Sequence, residues 1–252
     1  MDSVMAAIAR RRHGDDQPLS ATDLIEAGTF SAQQLSCLIS MIDQGASWLV
    51  GAGPGGAGKT TLMSALLTFL PSREKAVFAG PGSEWKSFGT NCCVVTEEIS
   101  AHQPERYLWA EDVRGLTSVP GQGGRITSTI HADTLEQARE QIARQCDAGE
   151  DGLAAFSVFI PIEVEFAPES DEPRPEPDRK GPAWNRRGPR RMSITRRTVQ
   201  HIHCHCDGTW GTIDRNARLT AEQESILRFL ERCCQSGTRS CEALRREWLG
   251  QC

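Results

Sequence analysis

The chain is 252 residues long, 38% hydrophobic and 24% charged, with a formal net charge of −5. That size holds one large α/β domain with appendages or two small domains, and no apolar run reaches the roughly 20 residues of a membrane-spanning helix. The N-terminal apolar patch precedes its arginines, the reverse of a secretory signal. Ten cysteines in a chain too large to need disulfide staples read as thiols of a reducing compartment, so a cytoplasmic location is expected.

In chain order, residues 1–22 read as a flexible N-terminal segment, and residues 23–166 as an α/β core. Ser31 caps a helix running to Ile42, with Leu35, Leu38, Ile39 and Ile42 on one face, and Gly45 closes it. Trp48 to Val50 is a short apolar strand ending at Gly51. Residues 53–60, GPGGAGKT, then fit the phosphate-binding pattern G-x-x-x-x-G-K-[ST], with a helical run of Leu62, Ala65, Leu66 and Phe69 behind them. Further buried strands are expected at Ala76–Phe78, Cys92–Val95, Tyr107–Ala110 and Ile126–Ile130, and a capped helix begins near Thr134. Strands alternating with helices around such a loop predict a mainly parallel, doubly wound sheet.

After Gly152 the pattern changes. Phe156, Val158, Ile160, Ile162, Val164 and Phe166 alternate as in a strand with one buried face, and Pro161 suggests a sheet edge. The partner strand is expected within residues 192–216, joined through a disordered, proline- and charge-rich hairpin loop at 167–191. Residues 217–252 read as a small helical tail, with helices at Ala221–Cys234, capped by Thr220, and Ser240–Leu249.

The chemistry expected of these residues starts at the loop. Gly53, Pro54, Gly55, Gly56, Ala57, Gly58, Lys59, Thr60 and Thr61 would cradle the phosphates of ATP, because a glycine-rich turn and the helix behind it aim several N–H groups inward. Lys59 would reach the β- and γ-phosphates, and the Thr60 hydroxyl would hold Mg²⁺. Hydrolysis also needs acids at the end of a neighbouring strand. Glu111 and Asp112, after Tyr107–Ala110, are the candidate catalytic acids, with Asp112 as a second Mg²⁺ ligand and Arg114 facing either them or a phosphate. His131, with Ser128 and Thr129 beside it, sits at a strand end of the kind that lines ligand crevices. In HIHCHC, His201, His203 and His205 share one strand face, but their spacing fits no closed four-ligand zinc pattern. The Arg186–Arg197 cluster, next to acidic residues, reads as a solvated or partner-binding loop, and nucleic acid is not expected as a partner.

TSTIHADTLEQA resembles the histidine box of the traffic ATPases of type II and type IV secretion and type IV pili. QPERYLWAEDVRG is similar to their second nucleotide-binding segment, and residues 25–71 to the stretch around their phosphate loop, the resemblance covering roughly residues 24–166. The resemblance implies a RecA-like P-loop core with a C-terminal β-hairpin extension. It also implies an ATP-hydrolysing motor, commonly a hexameric homo-oligomer with active sites at subunit borders, that drives secretion or pilus machinery at the inner membrane. It makes His131 a sensor of the γ-phosphate, and an ungapped match through Arg114 favours Asp112 over Glu111. The chain departs from the family in three places. Gly80 and Pro81 stand where acids are usual, leaving Glu97 and Glu98 as substitutes, with Glu97 taken as a peripheral site residue. No second histidine occurs around Gly123, and there is no room for the family's N-terminal domain. These departures keep open a nucleotide-binding regulatory or scaffold protein with weak or lost turnover.

Overall fold

The computed structural model describes residues 2–10, 18–103, 105–167 and 193–251. In chain order its elements are α1 (Ser3–Arg10), α2 (Ala21–Glu26), α3 (Ala32–Asp43), β1 (Trp48–Gly51), α4 (Lys59–Leu67), β2 (Lys75–Phe78) and β3 (Cys92–Ile99). There follow α5 (Glu111–Ser118), β4 (Arg125–Ile130), α6 (Leu135–Arg139), α7 (Gly149–Ala154), β5 (Val158–Pro161) and β6 (Glu163–Phe166). The last are β7 (Ile194–Thr198), β8 (His201–Cys206), β9 (Thr209–Asp214), α8 (Ala221–Ser236) and α9 (Cys241–Leu249).

A seven-stranded sheet in the order β2-β3-β4-β1-β5-β8-β9 forms the centre. The first five of these strands are parallel, and β8 and β9 add antiparallel at one side. The fold class is therefore α/β with a mainly parallel sheet. Parallel strands are covered on both faces, and β1 shows it: Trp48 and Val50 join one buried cluster and Leu49 the other. The first cluster is closed by α1, α2, α3, α4, α8 and α9, the second by α5, α6 and α7. Among the described residues no helix is long and apolar enough to cross a membrane.

Four expectations change. Residues 3–10, within the segment read as flexible, form α1, because Val4, Ala7 and Ile8 fall on one face and are buried. Tyr107–Ala110 is not a strand. Only Leu108 bridges to Ile99, and at Ala110 the backbone turns to φ 48° and enters α5. The acids that follow are stabilised there by the positive end of the helix rather than by a strand end. The run 156–166 is two strands, not one. β5 lies between β1 and β8, buried on both faces, so Pro161 marks the last residue of an inner strand rather than an edge. β6 leaves the sheet and pairs with β7 as a separate two-stranded ribbon. Finally, α8 and α9 are part of the main core, with Phe229, Leu230, Leu244 and Trp248 buried in it. Apart from Ala167, the loop expected at 167–191 lies outside the described residues, as do Arg186 to Arg191 of the arginine cluster.

Candidate functional site

β1 ends in the middle of the sheet, flanked by β4 and β5, and the chain turns through residues 52–58 before α4 begins. Gly56 (φ 80°) and Gly58 (φ 94°) are left-handed, a conformation that side chains resist, so the loop needs glycine at both. The N-terminus of α4 then faces the opening, where unpaired N–H groups favour an anion.

Lys59, the first residue of α4, is buried with 7% of its surface exposed. Its Nζ donates to the Ala52 carbonyl (3.2 Å) and stands 3.9 Å from Glu98 Oε2. Glu98 lies near the end of β3. Since β4 separates β3 from β1, the carboxylate reaches across the strand end of β4, where His131 sits. His131 Nε2 is 2.8 Å from Glu98 Oε1, and its Nδ1 is 2.8 Å from the Gly53 carbonyl and 3.3 Å from Lys59 Nζ. Asp133, two residues on, accepts from the Gly53 N–H at 2.5 Å. Loop, lysine, acid and histidine form one connected network.

The electrostatics follow from these contacts. Burial pushes the Lys59 pKa down, against the pull of Glu98 and Asp133. Burial also raises Glu98, but the His131 hydrogen bond and the Lys59 charge outweigh it and hold the carboxyl below its usual value. The hydrogen bond to Glu98 raises His131. Nδ1 faces both an acceptor, the Gly53 carbonyl, and a donor, Lys59 Nζ, so the protonated ring donates to Glu98 and Gly53 while the neutral ring can accept from Lys59 instead.

A cleft of about 1100 Å³ opens over this network, large enough for a nucleotide-sized ligand. Gly55 to Thr61 line one wall, and Glu97, Glu98, Thr129 and His131 the other, with Arg106 and Tyr107 at the side. Glu97 pairs with Arg106 at 2.6 Å, and the Thr129 hydroxyl donates to the Glu97 carbonyl at 2.7 Å. The Ser128 hydroxyl instead donates to the neighbouring Thr129 carbonyl. Gly53 and Pro54 form the first limb of the loop. The Thr60 hydroxyl makes no hydrogen bond among the described residues, which leaves an oxygen donor free in the cleft wall.

Glu111 and Asp112 are not brought to this cleft. They occupy the first turn of α5, whose Val113 and Leu116 pack on the sheet face opposite to α4. Asp112 Oδ1 accepts from the Gly82 N–H (2.8 Å) and from Trp85 Nε1 (3.3 Å), fixing a loop on that face. Arg114 donates to the Cys146 carbonyl at 2.8 Å rather than facing a phosphate or the acids. Asp112 therefore does not fit as a Mg²⁺ ligand with Thr60. The acid that reaches Lys59 is Glu98, which the sequence offered only as a substitute, and Asp133 was not foreseen. The signal for Glu98 was present in CCVVTEE, an apolar run ending on acids like YLWAED.

In the HIHCHC strand each histidine is otherwise engaged. His201 pairs with Asp214 at 2.8 Å, His203 stacks on Phe159 and His205 packs on Trp210. Among the described residues no group of three or more potential ligands converges to hold a metal. Comparison with family models and with curated proteins returns no match for this chain.

Proposed function

We propose that this chain binds ATP at the 53–61 loop and hydrolyses its β–γ phosphoanhydride bond, as a P-loop ATPase with a RecA-like core. One observation carries the reading: a buried lysine at the start of α4 shares a cleft with an acid, Glu98, delivered by a strand on the far side of β4. A bare phosphate-binding turn would need only the loop, whereas hydrolysis needs an acid within reach of it.

Each residue then has a role. The loop N–H groups and Lys59 hold the β- and γ-phosphates, Lys59 exchanging its Glu98 contact for phosphate oxygens. Thr60 and Glu98 supply the hard oxygen donors that suit Mg²⁺, which when bound neutralises charge on the phosphates. Glu98 orients the attacking water. His131, bonded to Glu98 and to the Gly53 carbonyl, couples the acid to the loop and registers loss of the γ-phosphate. The resemblance to traffic ATPases extends the proposal to a motor subunit, acting as a homo-oligomeric ring on secretion or pilus machinery.

A second reading, a regulatory nucleotide-binding protein without turnover, is favoured by the position of Glu111 and Asp112 on the other face and by the engagement of Glu98 with two cations. Phosphate release by the wild-type chain and by Lys59→Ala, alongside binding of a fluorescent ATP analogue with Mg²⁺, separates the two. The ATPase reading expects Mg²⁺-dependent release that falls at least about tenfold in the variant. Binding without Lys59-dependent release would select the regulatory protein. Sizing with and without a non-hydrolysable analogue tests the ring: a monomer in both conditions rejects it.

A further inference from the structure

The ribbon β6–β7 reaches the phosphate loop through one side chain. Arg197 Nη2 donates to the Gly56 carbonyl at 3.1 Å, and its aliphatic stem passes 3.4 Å from where a Cβ on Gly58 would stand. Its neighbour Arg196 takes a different partner, Glu165 across the ribbon at 3.5 Å, as expected when successive residues of a strand face opposite ways. Among the described residues Arg197 pairs with no carboxylate. Its base is fixed: Thr198 and Val199 are buried, the Val199 N–H donates to the Thr29 carbonyl at 2.8 Å, and Arg215 donates to the carbonyls of Val199 and Thr29. The guanidinium is thus carried on a braced strand and meets the loop at the Gly56 carbonyl, away from the cleft, whose lining does not include Arg197.

The stereochemistry of the peptide unit gives this contact a consequence. In a planar trans peptide the C=O and the following N–H point in opposite directions. Turning the Gly56 carbonyl outward toward Arg197 therefore turns the Ala57 N–H inward, toward the space the loop encloses. Gly56 is a left-handed glycine (φ 80°), and glycine flanks are where a peptide flips at little cost. Without an anchor on its oxygen, this unit loses the inward donor easily.

We propose that Arg197 is a positioning residue that preorganises the loop for phosphate, so that the β6–β7 ribbon sets nucleotide affinity. This inference rests on the loop being a triphosphate site. Two measurements on the full chain keep the two ideas apart: amide hydrogen exchange across residues 53–60 without nucleotide, and the dissociation constant of a fluorescent ATP analogue with Mg²⁺. Arg197→Ala should raise exchange in the loop and weaken the analogue about tenfold, the worth of one charge-assisted hydrogen bond. Arg197→Lys, which keeps a donor, should fall between the two. Millimolar guanidinium should restore binding to Arg197→Ala and do nothing for Lys59→Ala, a rescue that a purely structural arginine would not show. Unchanged loop exchange and affinity in Arg197→Ala overturns the inference, as does a loss that neither lysine nor guanidinium repairs. A wild-type chain that binds no analogue while Arg197→Ala still loosens the loop overturns the proposed function and removes the phosphate role of the contact with it.

Discussion

Glu98 lies between Lys59 and His131, and the proton on His131 decides how well that arrangement holds. The His131 pKa is raised by its bond to Glu98. Its share of stability is therefore complete below the ordinary histidine value, about 6.5, and is lost as pH rises through the higher folded value. The Glu98 pKa is lowered, so its share is present above the ordinary carboxyl range of about 4.3 and disappears as pH falls through the lower folded value. The pair should thus contribute most between about pH 5 and 6 and fade on both sides. Urea unfolding of wild type and His131→Asn from acid to alkaline pH measures this. The gap between the two curves should peak in that window and narrow toward pH 9. A gap that widens with alkalinity would mean that His131 is neutral in the folded chain.

At the level of elements, β3 and α5 show what pattern alone can and cannot reveal. CCVVTEE and YLWAED are both short, mostly apolar runs leading to acids, yet only the first is a strand with its acids on the cleft. β3 persists for eight residues because β2 and β4 hydrogen-bond to its two sides, whereas among the described residues Tyr107–Ala110 has only the bridge from Leu108 to Ile99. Pairing partners are distant in the chain and leave no local mark. What was legible is local: the loop between β1 and α4, the caps Ser31, Thr134 and Thr220, and His131 at the end of β4. What was not legible depended on neighbours, as with Val158–Ile160, whose alternation suited a half-exposed strand although both faces are covered. The assignment of the acid is open to a direct comparison. Glu98→Gln should cut phosphate release by about a hundredfold, the scale of a lost general base or water-orienting acid. Asp112→Asn should leave turnover within about twofold and cost about 1 kcal/mol of stability through its weakened bonds to Gly82 and Trp85. Loss of turnover in Asp112→Asn with an active Glu98→Gln would return the catalytic role to α5.

Across the whole molecule, the helix that presents Lys59 at one end is held at its other end by residues far away in sequence. Arg245 of α9 is buried, donates to the carbonyls of Thr68 (3.0 Å) and Leu70 (2.9 Å), and pairs with Asp2 beside α1. Those carbonyls lie at and just beyond the C-terminus of α4, where a cation also complements the helix dipole. Trp248, one turn along α9, sets its ring 5.6 Å from both Phe69 and Phe229. The segment read as a helical tail is thus the clamp on the rear of the phosphate-loop helix. Removing the guanidinium strands two buried carbonyls and the Asp2 carboxylate, so Arg245→Ala should lower the unfolding free energy by about 2–4 kcal/mol. The front of α4 has its own supports, the Lys59–Ala52 contact and the Asp133–Gly53 bond. Below the unfolding transition the variant should therefore bind the ATP analogue with an affinity within about threefold of wild type. Urea titration and analogue binding at one low temperature check both halves. A variant that stays as stable as wild type and binds the analogue equally well would show that α9 does not clamp the helix. One that keeps its stability but loses the analogue would show instead that the position of α4 is tuned from its far end.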